Sequence, residues 1–291
     1  MGLIMENEWF HAAVSLTGGE ITSLFEKKTG TEYLWQADPS WWKGTAPILF
    51  PVIGGLLNES YHYAGQTYSL PAHGFARKSD FLIQERDDDE VTLFFSSSDE
   101  TLKNYPFEFI FSVRYILERG GVTISYSVMN TGSSTMYFSL GSHPAFNLPF
   151  AGGAFENHYI LWEREEDMER FYFKDGLLVA GKSDQASHSR RILSLSRNTF
   201  DSGPLIFMNP NSREFSLRNS LNNRAIKVVT DGVPYFALWS KPDGAPFVCI
   251  EPWHGIPDWS NASGNLVEKE GIIPLDAGLS WSSGYRIEIH H

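Results

Sequence analysis

The chain has 291 residues, of which 42% are hydrophobic and 14% aromatic, so it can bury a sizeable core without disulfides or metals. Asp and Glu outnumber Lys and Arg by 35 to 23, and the net charge of -12 argues against a nucleic-acid partner, which a basic face would bind. The chain has no basic amphipathic stretch and no apolar run of about 18 residues, so a membrane partner is not predicted either.

Cysteine content and the amino terminus bear on the cellular compartment. Cys249 is the only cysteine, so the chain has no intramolecular disulfide, which is typical of a reducing compartment. The first residues reach an acid, Glu6, too early for a secretory signal. We therefore expect a cytoplasmic protein. The sequence does not predict its oligomeric state.

Short apolar runs with the two-residue period of strands recur along the chain. The clearest spans residues 107–117, and turn residues at 118–121 join it to a second alternating run in a predicted hairpin. Clusters of Gly, Pro, Asn, Asp and Ser separate these runs. In chain order, the predicted strands cover residues 91–95, 107–117, 122–128, 136–140, 192–195, 205–208, 225–230, 235–239, 247–251 and 285–289.

Helical periodicity is confined to two short fragments, residues 100–104 and 265–269, which we place in connections. The polar segment 174–191 is predicted to be a long exposed loop. No linker, composition shift or internal repeat divides the chain. The sequence therefore predicts an all-β fold, a large antiparallel β-sandwich forming one domain over residues 1–291.

The common signatures of nucleotide, nicotinamide and zinc chemistry are missing from the sequence, so no cofactor or metal is predicted. Three segments instead embed ionisable residues among Gly, Pro and aromatic residues. They are residues 70–77 with His73 and Arg77, residues 141–147 with His143, and residues 249–255 with Glu251. A lone buried histidine is more often structural than catalytic, and the pattern alone leaves a shared site and separate structural roles equally open.

Aromatic residues near these segments have two interpretations. Trp35, Trp41 and Trp42 lie in one loop-like stretch, where they either pack in the core or offer a platform for the apolar face of a pyranose. Trp253, two residues after Glu251, could form an apolar wall that raises the pKa of the carboxyl group by desolvating its charged form.

Five motifs, taken together and in order, resemble the aldose 1-epimerase or galactose mutarotase family, most closely its LacX-like branch. The resemblance runs over nearly the whole chain and implies a β-sandwich of the galactose mutarotase type, with a sugar bound in an open cleft. The motifs are residues 44–51, His-Gly-Phe-Ala-Arg at 73–77, Ser-His-Pro-Ala-Phe-Asn at 142–147, residues 238–242, and Cys-Ile-Glu-Pro-Trp at 249–253.

The resemblance implies roles for individual residues. Glu251 is similar to the family's general base, and His143 is similar to its general acid. His73 resembles the second active-site histidine, which holds a sugar oxygen. Further substrate contacts are expected from Arg77, Trp253 and Asn147. The implied reaction interconverts the α and β anomers of a free aldose by ring opening and needs no cofactor.

Two departures from the family pattern affect the groups that hold the sugar. Gly55 stands where many relatives have an arginine, and Gly203 where they tend to have an aspartate, with Asp201 as a weak substitute. Arg77 is either a replacement anchor or half of a surface ion pair. A non-catalytic carbohydrate-binding or sensing protein therefore remains the alternative, and a phosphorylated sugar is disfavoured by the acidic charge.

Overall fold

The computed structural model describes residues 2–291. The strands of the first half are β1 (Leu3–Glu6), β2 (Phe10–Val14), β3 (Ile21–Glu26), β4 (Thr31–Glu32), β5 (Ile48–Leu49), β6 (Ser60–Tyr63), β7 (Gln66–Ser69), β8 (Leu82–Arg86), β9 (Glu90–Ser96), β10 (Phe109–Glu118), β11 (Gly121–Asn130), β12 (Met136–Phe138), β13 (Leu140–Ser142) and β14 (Ala145–Asn147). Those of the second half are β15 (His158–Trp162), β16 (Glu169–Lys174), β17 (Leu177–Gln185), β18 (Ile192–Ser194), β19 (Leu205–Met208), β20 (Glu214–Asn219), β21 (Ala225–Thr230), β22 (Tyr235–Trp239), β23 (Phe247–His254), β24 (Ile273–Leu275) and β25 (Ser280–His290).

Helical structure is limited to short connections. The one α-helix in the described part of the chain, α1 (Asp99–Asn104), is capped by Ser98, whose side chain accepts a hydrogen bond from the Thr101 N–H. Single 3₁₀ turns occur at Leu57–Glu59, Ala76–Lys78, Phe155–Asn157 and Leu266–Glu268. Among residues 2–291, no helix has the length and hydropathy needed to cross a bilayer.

Two large sheets form the body of the molecule. The nine-stranded sheet has the order β18-β15-β20-β21-β25-β11-β10-β9-β8. The eight-stranded sheet has the order β17-β16-β19-β22-β23-β13-β5, with β14 also paired to β23. Neighbouring strands within each are antiparallel, as in Phe109↔Asn130 and Trp239↔Cys249. The predicted all-β antiparallel sandwich is therefore confirmed.

The main core lies between these two sheets and is rich in aromatic rings. Strand β10 alternates buried and more exposed residues along its length, so that Phe109 and Phe111 both point into this core. Phe50 packs against both, with ring centroids 5.1 Å away in each case. Its carbonyl oxygen also accepts hydrogen bonds from the N–H groups of Phe75 and Ala76. This fully buried residue thereby ties the loop after β5 to the main core.

The outer face of the eight-stranded sheet carries a second, smaller apolar layer. On β23, Val248 and Ile250 face the main core, while Cys249 and Trp253 belong to the clusters on the opposite face. Because successive side chains of a strand alternate between faces, Glu251 lies on the same outer face as Cys249 and Trp253. This central strand is buried on both sides, which explains its nearly unbroken apolar sequence.

Most predicted strands are confirmed, but the interpretation of segment 174–191 as a loop was wrong. Residues Leu177–Gln185 form β17, which pairs with β16 in a hairpin at the edge of the eight-stranded sheet. The hairpin is half exposed and polar, so its sequence lacks the apolar alternation that reveals strands packed on a core.

The half-buried His254 predicts an acid-sensitive fold. Its Nε2 lies 2.7 Å from Ser283 Oγ, and burial lowers the pKa of His254 to about 4. The unfolded chain binds this proton near pH 6.5, so stability is unaffected above that pH and falls as the pH drops from 6.5 towards 4, by at most about 3 kcal/mol. Urea unfolding across this range should give a flatter pH dependence for His254→Gln than for the wild type. The exposed His188→Gln serves as control, and an unchanged slope in His254→Gln contradicts the prediction.

Candidate active site

A cavity of about 260 Å³ opens on the outer face of the eight-stranded sheet, and the three predicted segments converge on it. Central strands of this sheet form its floor, and loops and the β16–β17 hairpin contribute its walls. It is lined by Trp42, Pro47, Leu49, Gly54, His73, Arg77, His143, Phe173, Pro204, Trp239, Glu251, Trp253 and Pro257.

Glu251 and His143 are in direct contact at this cavity. Glu251 lies on β23 opposite Ala237 of β22, and His143 follows β13, which pairs with β23 on the other side. His143 Nε2 lies 3.3 Å from Glu251 Oε2, and the two side chains are 12% and 1% exposed. Within residues 2–291, Glu251 Oε2 has no well-aligned hydrogen-bond donor. The sheet thus holds an acid and a base side by side.

Burial controls the protonation of this pair. It raises the pKa of the Glu251 carboxyl well above its ordinary value and lowers the pKa of the His143 imidazole well below its own. The Trp253 N–H is close enough to oppose the shift of the Glu251 pKa in part, although it makes no well-aligned hydrogen bond. If both groups are protonated the pair carries a positive charge, and if Glu251 is ionised while His143 is neutral it carries a negative charge. Burial disfavours both of these charged states. The pair therefore holds one proton between them.

His73 is held by the loop after β5. Its own N–H donates to the Gly54 carbonyl at 2.9 Å, and the Gly54 N–H donates to His73 Nδ1 at 3.1 Å. Burial, with a smaller effect of the Arg77 charge, lowers the pKa of His73 to about 4. The imidazole is therefore neutral near pH 7, and because Nδ1 accepts, Nε2 carries the hydrogen. His73 can thus donate a hydrogen bond from Nε2.

The Gly54 loop is itself fixed by a buried ion pair. Lys269 Nζ lies 2.7 Å from Asp258 Oδ1, and Asp258 Oδ2 accepts the Leu57 N–H at 2.9 Å. Pro257, the residue before this aspartate, packs so closely on Gly54 that a Cβ there would lie 2.3 Å from the proline ring. Only glycine fits this contact. No sequence pattern pointed to these residues, because the ion pair joins segments of no recognisable motif.

Arg77 supplies the positive charge of the cavity. One terminal nitrogen donates to the Ala72 carbonyl at 2.9 Å, while the buried Nε has no partner within residues 2–291. Over the same residues the guanidinium forms no salt bridge, so the alternative of a surface ion pair is not observed. Its charge contributes to the lowered pKa values of both His73 and His143.

Two tryptophans flank the acid–base pair. The ring centroids of Trp42 and Trp239 lie 5.0 and 5.5 Å from that of His143, and 5.4 Å from each other. Trp35 instead packs in the interior against Phe247, with its N–H donating to the Trp42 carbonyl. Of the three tryptophans in the loop, Trp42 is therefore the one that lines the cavity.

Sequence reasoning did not single out three lining residues, Trp239, Pro204 and Phe173. Trp239 ends β22 directly opposite Cys249, and Glu251 lies two residues further along β23. Trp239 could have been placed at the cavity only from the pairing register of these strands, and patterns in a single sequence do not reveal that register.

Asn147 lies away from the cavity. Its amide nitrogen donates to the backbone carbonyls of Glu32 and Leu34, at 3.0 and 2.8 Å. These bonds tie β14 to the segment after β4. The structure brings together His73, Arg77, His143, Glu251 and Trp253, but it does not bring Asn147 to them.

Gly55 and Gly203, the two expected departures from the family pattern, lie beside the β16–β17 hairpin. A Cβ at Gly55 would lie 2.7 Å from the Gly176 carbonyl oxygen, to which the Gly55 N–H already donates. Gly203 has a φ of +97°, a conformation that disfavours any side chain, and it sits against Phe173. The exposed Asp201 does not line the cavity and is no substitute. Atoms of the hairpin therefore lie against both glycines.

Comparison with known proteins agrees with these features. The family model for aldose 1-epimerase matches residues 3–273. The chain belongs to the aldose 1-epimerase family. It is 32% identical to protein LacX of Lactococcus lactis subsp. lactis, over 95% of this chain and 96% of that protein.

Solved structures of two further relatives share the fold over almost their whole length. A galactose mutarotase related enzyme from Lactobacillus acidophilus is 34% identical, with a TM-score of 0.94 over 100% of this chain and 98% of that one. A galactose mutarotase-like protein from Lactobacillus casei is 31% identical, with a TM-score of 0.91 and full coverage of both chains. The family and the sandwich predicted from the motifs are both confirmed.

The close contact between Gly55 and the Gly176 carbonyl predicts that a side chain at position 55 destabilises the fold. Gly55→Ala should lower the free energy of unfolding by about 1–3 kcal/mol, because the Gly176 carbonyl must move. Urea denaturation measures the loss. Gly120→Ala, where a Cβ meets nothing within 4 Å, is the matched control. Equal stability of the two variants would refute the proposed clash.

Proposed function

We propose that this protein is an aldose 1-epimerase that interconverts the α and β anomers of a free aldose by acid–base ring opening. The observation that carries the proposal is the 3.3 Å contact between Glu251 and His143 on the cavity floor. The reaction must remove a proton from the anomeric hydroxyl and add one to the ring oxygen. Both oxygens are bonded to the same carbon, so an adjacent base and acid can reach them together.

In the proposed mechanism Glu251 is the base and His143 the acid. Glu251 accepts the proton of the anomeric hydroxyl while His143 Nε2 protonates the ring oxygen, and the bond between the anomeric carbon and the ring oxygen breaks. Rotation of the resulting open-chain aldehyde presents its other face. Ring closure then reverses both proton transfers and restores the starting protonation of the pair.

The location of the shared proton fits these roles once a sugar is bound. The anomeric hydroxyl donates a hydrogen bond to Glu251, and the nearby though poorly aligned Trp253 N–H adds a weaker attraction, so both favour the ionised carboxylate. The proton then resides on His143 Nε2, beside the ring oxygen. The high pKa that burial gives Glu251 makes it a stronger base than an exposed carboxylate.

The remaining lining residues suit a bound pyranose. The neutral His73 donates a hydrogen bond from Nε2, and Arg77 offers free guanidinium N–H groups to sugar oxygens. Trp42 and Trp239 offer aromatic surface to the apolar face of the ring. The names of the two Lactobacillus relatives, which refer to galactose mutarotase, support a hexose as substrate.

Removing either member of the pair tests the proposed chemistry. Glu251→Gln and His143→Gln should each reduce kcat/KM by about 10²- to 10⁴-fold, because each removes one positioned proton-transfer group. Polarimetry of freshly dissolved α-D-galactose and α-D-glucose measures the rate. His254→Gln, which alters a half-buried histidine outside this cavity, should retain near wild-type activity at neutral pH.

Polarimetry of the wild-type protein, combined with calorimetry of sugar binding, separates the proposed enzyme from the non-catalytic alternative. If rotation relaxes at the buffer rate with wild-type protein and every common aldose, the enzymatic proposal fails. Calorimetric sugar binding that persists in Glu251→Gln, without turnover in the wild type, would establish a binding or sensing protein instead.

Arg77 is proposed to hold substrate rather than transfer protons. Arg77→Met should raise KM by about tenfold with a smaller change in kcat, because a charged hydrogen-bond donor to the sugar is lost. Initial rates over a range of sugar concentrations separate the two constants. A fall in kcat at unchanged KM would show that Arg77 does not anchor the substrate.

A further inference from the structure

Three potential metal ligands lie close together at the cavity, two of them in its lining and the third, Cys249, buried beside it. The thiol of Cys249, the carboxylate of Glu251 and the imidazole of His143 place one ligand atom each within 4.8 Å of the other two, and all three residues are buried. Cys249 and Glu251 are two residues apart on β23 and so share its outer face. The proposed proton transfers make no use of the thiol.

One edge of this group already has the length found between the ligands of a small divalent ion. Bonds of 2.0–2.3 Å from Zn²⁺ to nitrogen, oxygen and sulfur place neighbouring ligands about 3.3–3.8 Å apart in a tetrahedron. The 3.3 Å between His143 Nε2 and Glu251 Oε2 already spans such an edge. Glu251 Oε2 also has no hydrogen-bond donor within residues 2–291, so its lone pairs are available.

We propose that Cys249, Glu251 and His143 form a binding site for Zn²⁺, with a fourth position open to the cavity. The mixed set of one thiolate, one imidazole and one carboxylate selects a borderline-soft ion over Mg²⁺ or Ca²⁺, which prefer oxygen ligands. Three protein ligands and one open position are the usual composition of an accessible zinc site.

Charge balance supports the same assignment. On binding, the Cys249 thiol and the Glu251–His143 pair each release one proton to solvent, so that a thiolate, a carboxylate and a neutral imidazole face the ion. Their two negative charges neutralise the two positive charges of Zn²⁺, and the buried set carries no net charge. The ion would occupy lone pairs that Glu251 and His143 need for proton transfer. Bound zinc therefore inhibits the proposed reaction and competes with sugar.

A second group of residues could bind zinc adventitiously and must be separated from this site. At the carboxyl terminus, His291 Nε2 lies 2.7 Å from Glu26, and His290 Nε2 lies 3.3 Å from Glu288. Both histidines are largely exposed. The double variant His290→Gln/His291→Gln removes these groups without touching the cavity and serves as the reference protein.

Titration calorimetry of the chelator-treated full chain with ZnCl₂ tests the site without relying on activity. We expect one ion to bind per chain in the wild type and in the His290→Gln/His291→Gln variant, and MgCl₂ to give no signal. Cys249→Ser should weaken zinc binding by about 10- to 100-fold or more, since it removes a ligand. Cys249→Ala repeats the test if the serine variant fails to fold.

Cobalt substitution identifies the sulfur ligand directly. Co²⁺ added to the wild-type chain should produce a near-ultraviolet thiolate-to-cobalt charge-transfer band, which Cys249→Ser lacks. The absence of this band, equal zinc affinity in Cys249→Ser, or loss of binding in the carboxyl-terminal variant would each overturn the assignment. Zinc binding without inhibition of mutarotation would instead contradict the proposed roles of Glu251 and His143, while leaving the metal site intact.

Discussion

The cavity is organised around a carboxyl group in the interior of a sheet. Glu251 is only 1% exposed, and an ionised carboxylate at such a position is costly unless a nearby group can exchange a proton with it. His143 is that group, and the tryptophans that pack around its ring keep water away from the contact. The same desolvation that makes the charge costly also strengthens the carboxylate as a base, so burial is the source of the proposed reactivity.

The sheet that carries this pair has two apolar faces with different uses. Its inner face packs against the nine-stranded sheet, and its outer face is covered by loops and a hairpin that leave an opening. Rigid central strands therefore supply Glu251 and the segment leading to His143, while connections supply His73 and Arg77. This division separates the groups that need exact alignment for proton transfer from those that only need to reach a sugar oxygen.

The sequence predicted the fold class and the segments that meet at the cavity, but not every element around them. Alternating residues of β10 and β11 revealed their hairpin, and the motifs containing His73, His143 and Glu251 indicated residues that do meet. The β16–β17 hairpin was missed because a half-exposed edge hairpin has no strong apolar period. Asn147 shares a motif with His143, yet its amide bonds to backbone carbonyls, because adjacency in a motif does not determine which way a side chain points.

The pleat of β23 restricts how this region of the chain can evolve. Cys249, Glu251 and Trp253 occupy one side of the strand, and Val248 and Ile250 occupy the other. A single inserted or deleted codon before this segment would turn the carboxyl group towards the interior between the sheets and expose aliphatic side chains to the sugar. Substitutions can therefore accumulate in the surrounding loops, whereas length changes within β23 would abolish folding and chemistry together.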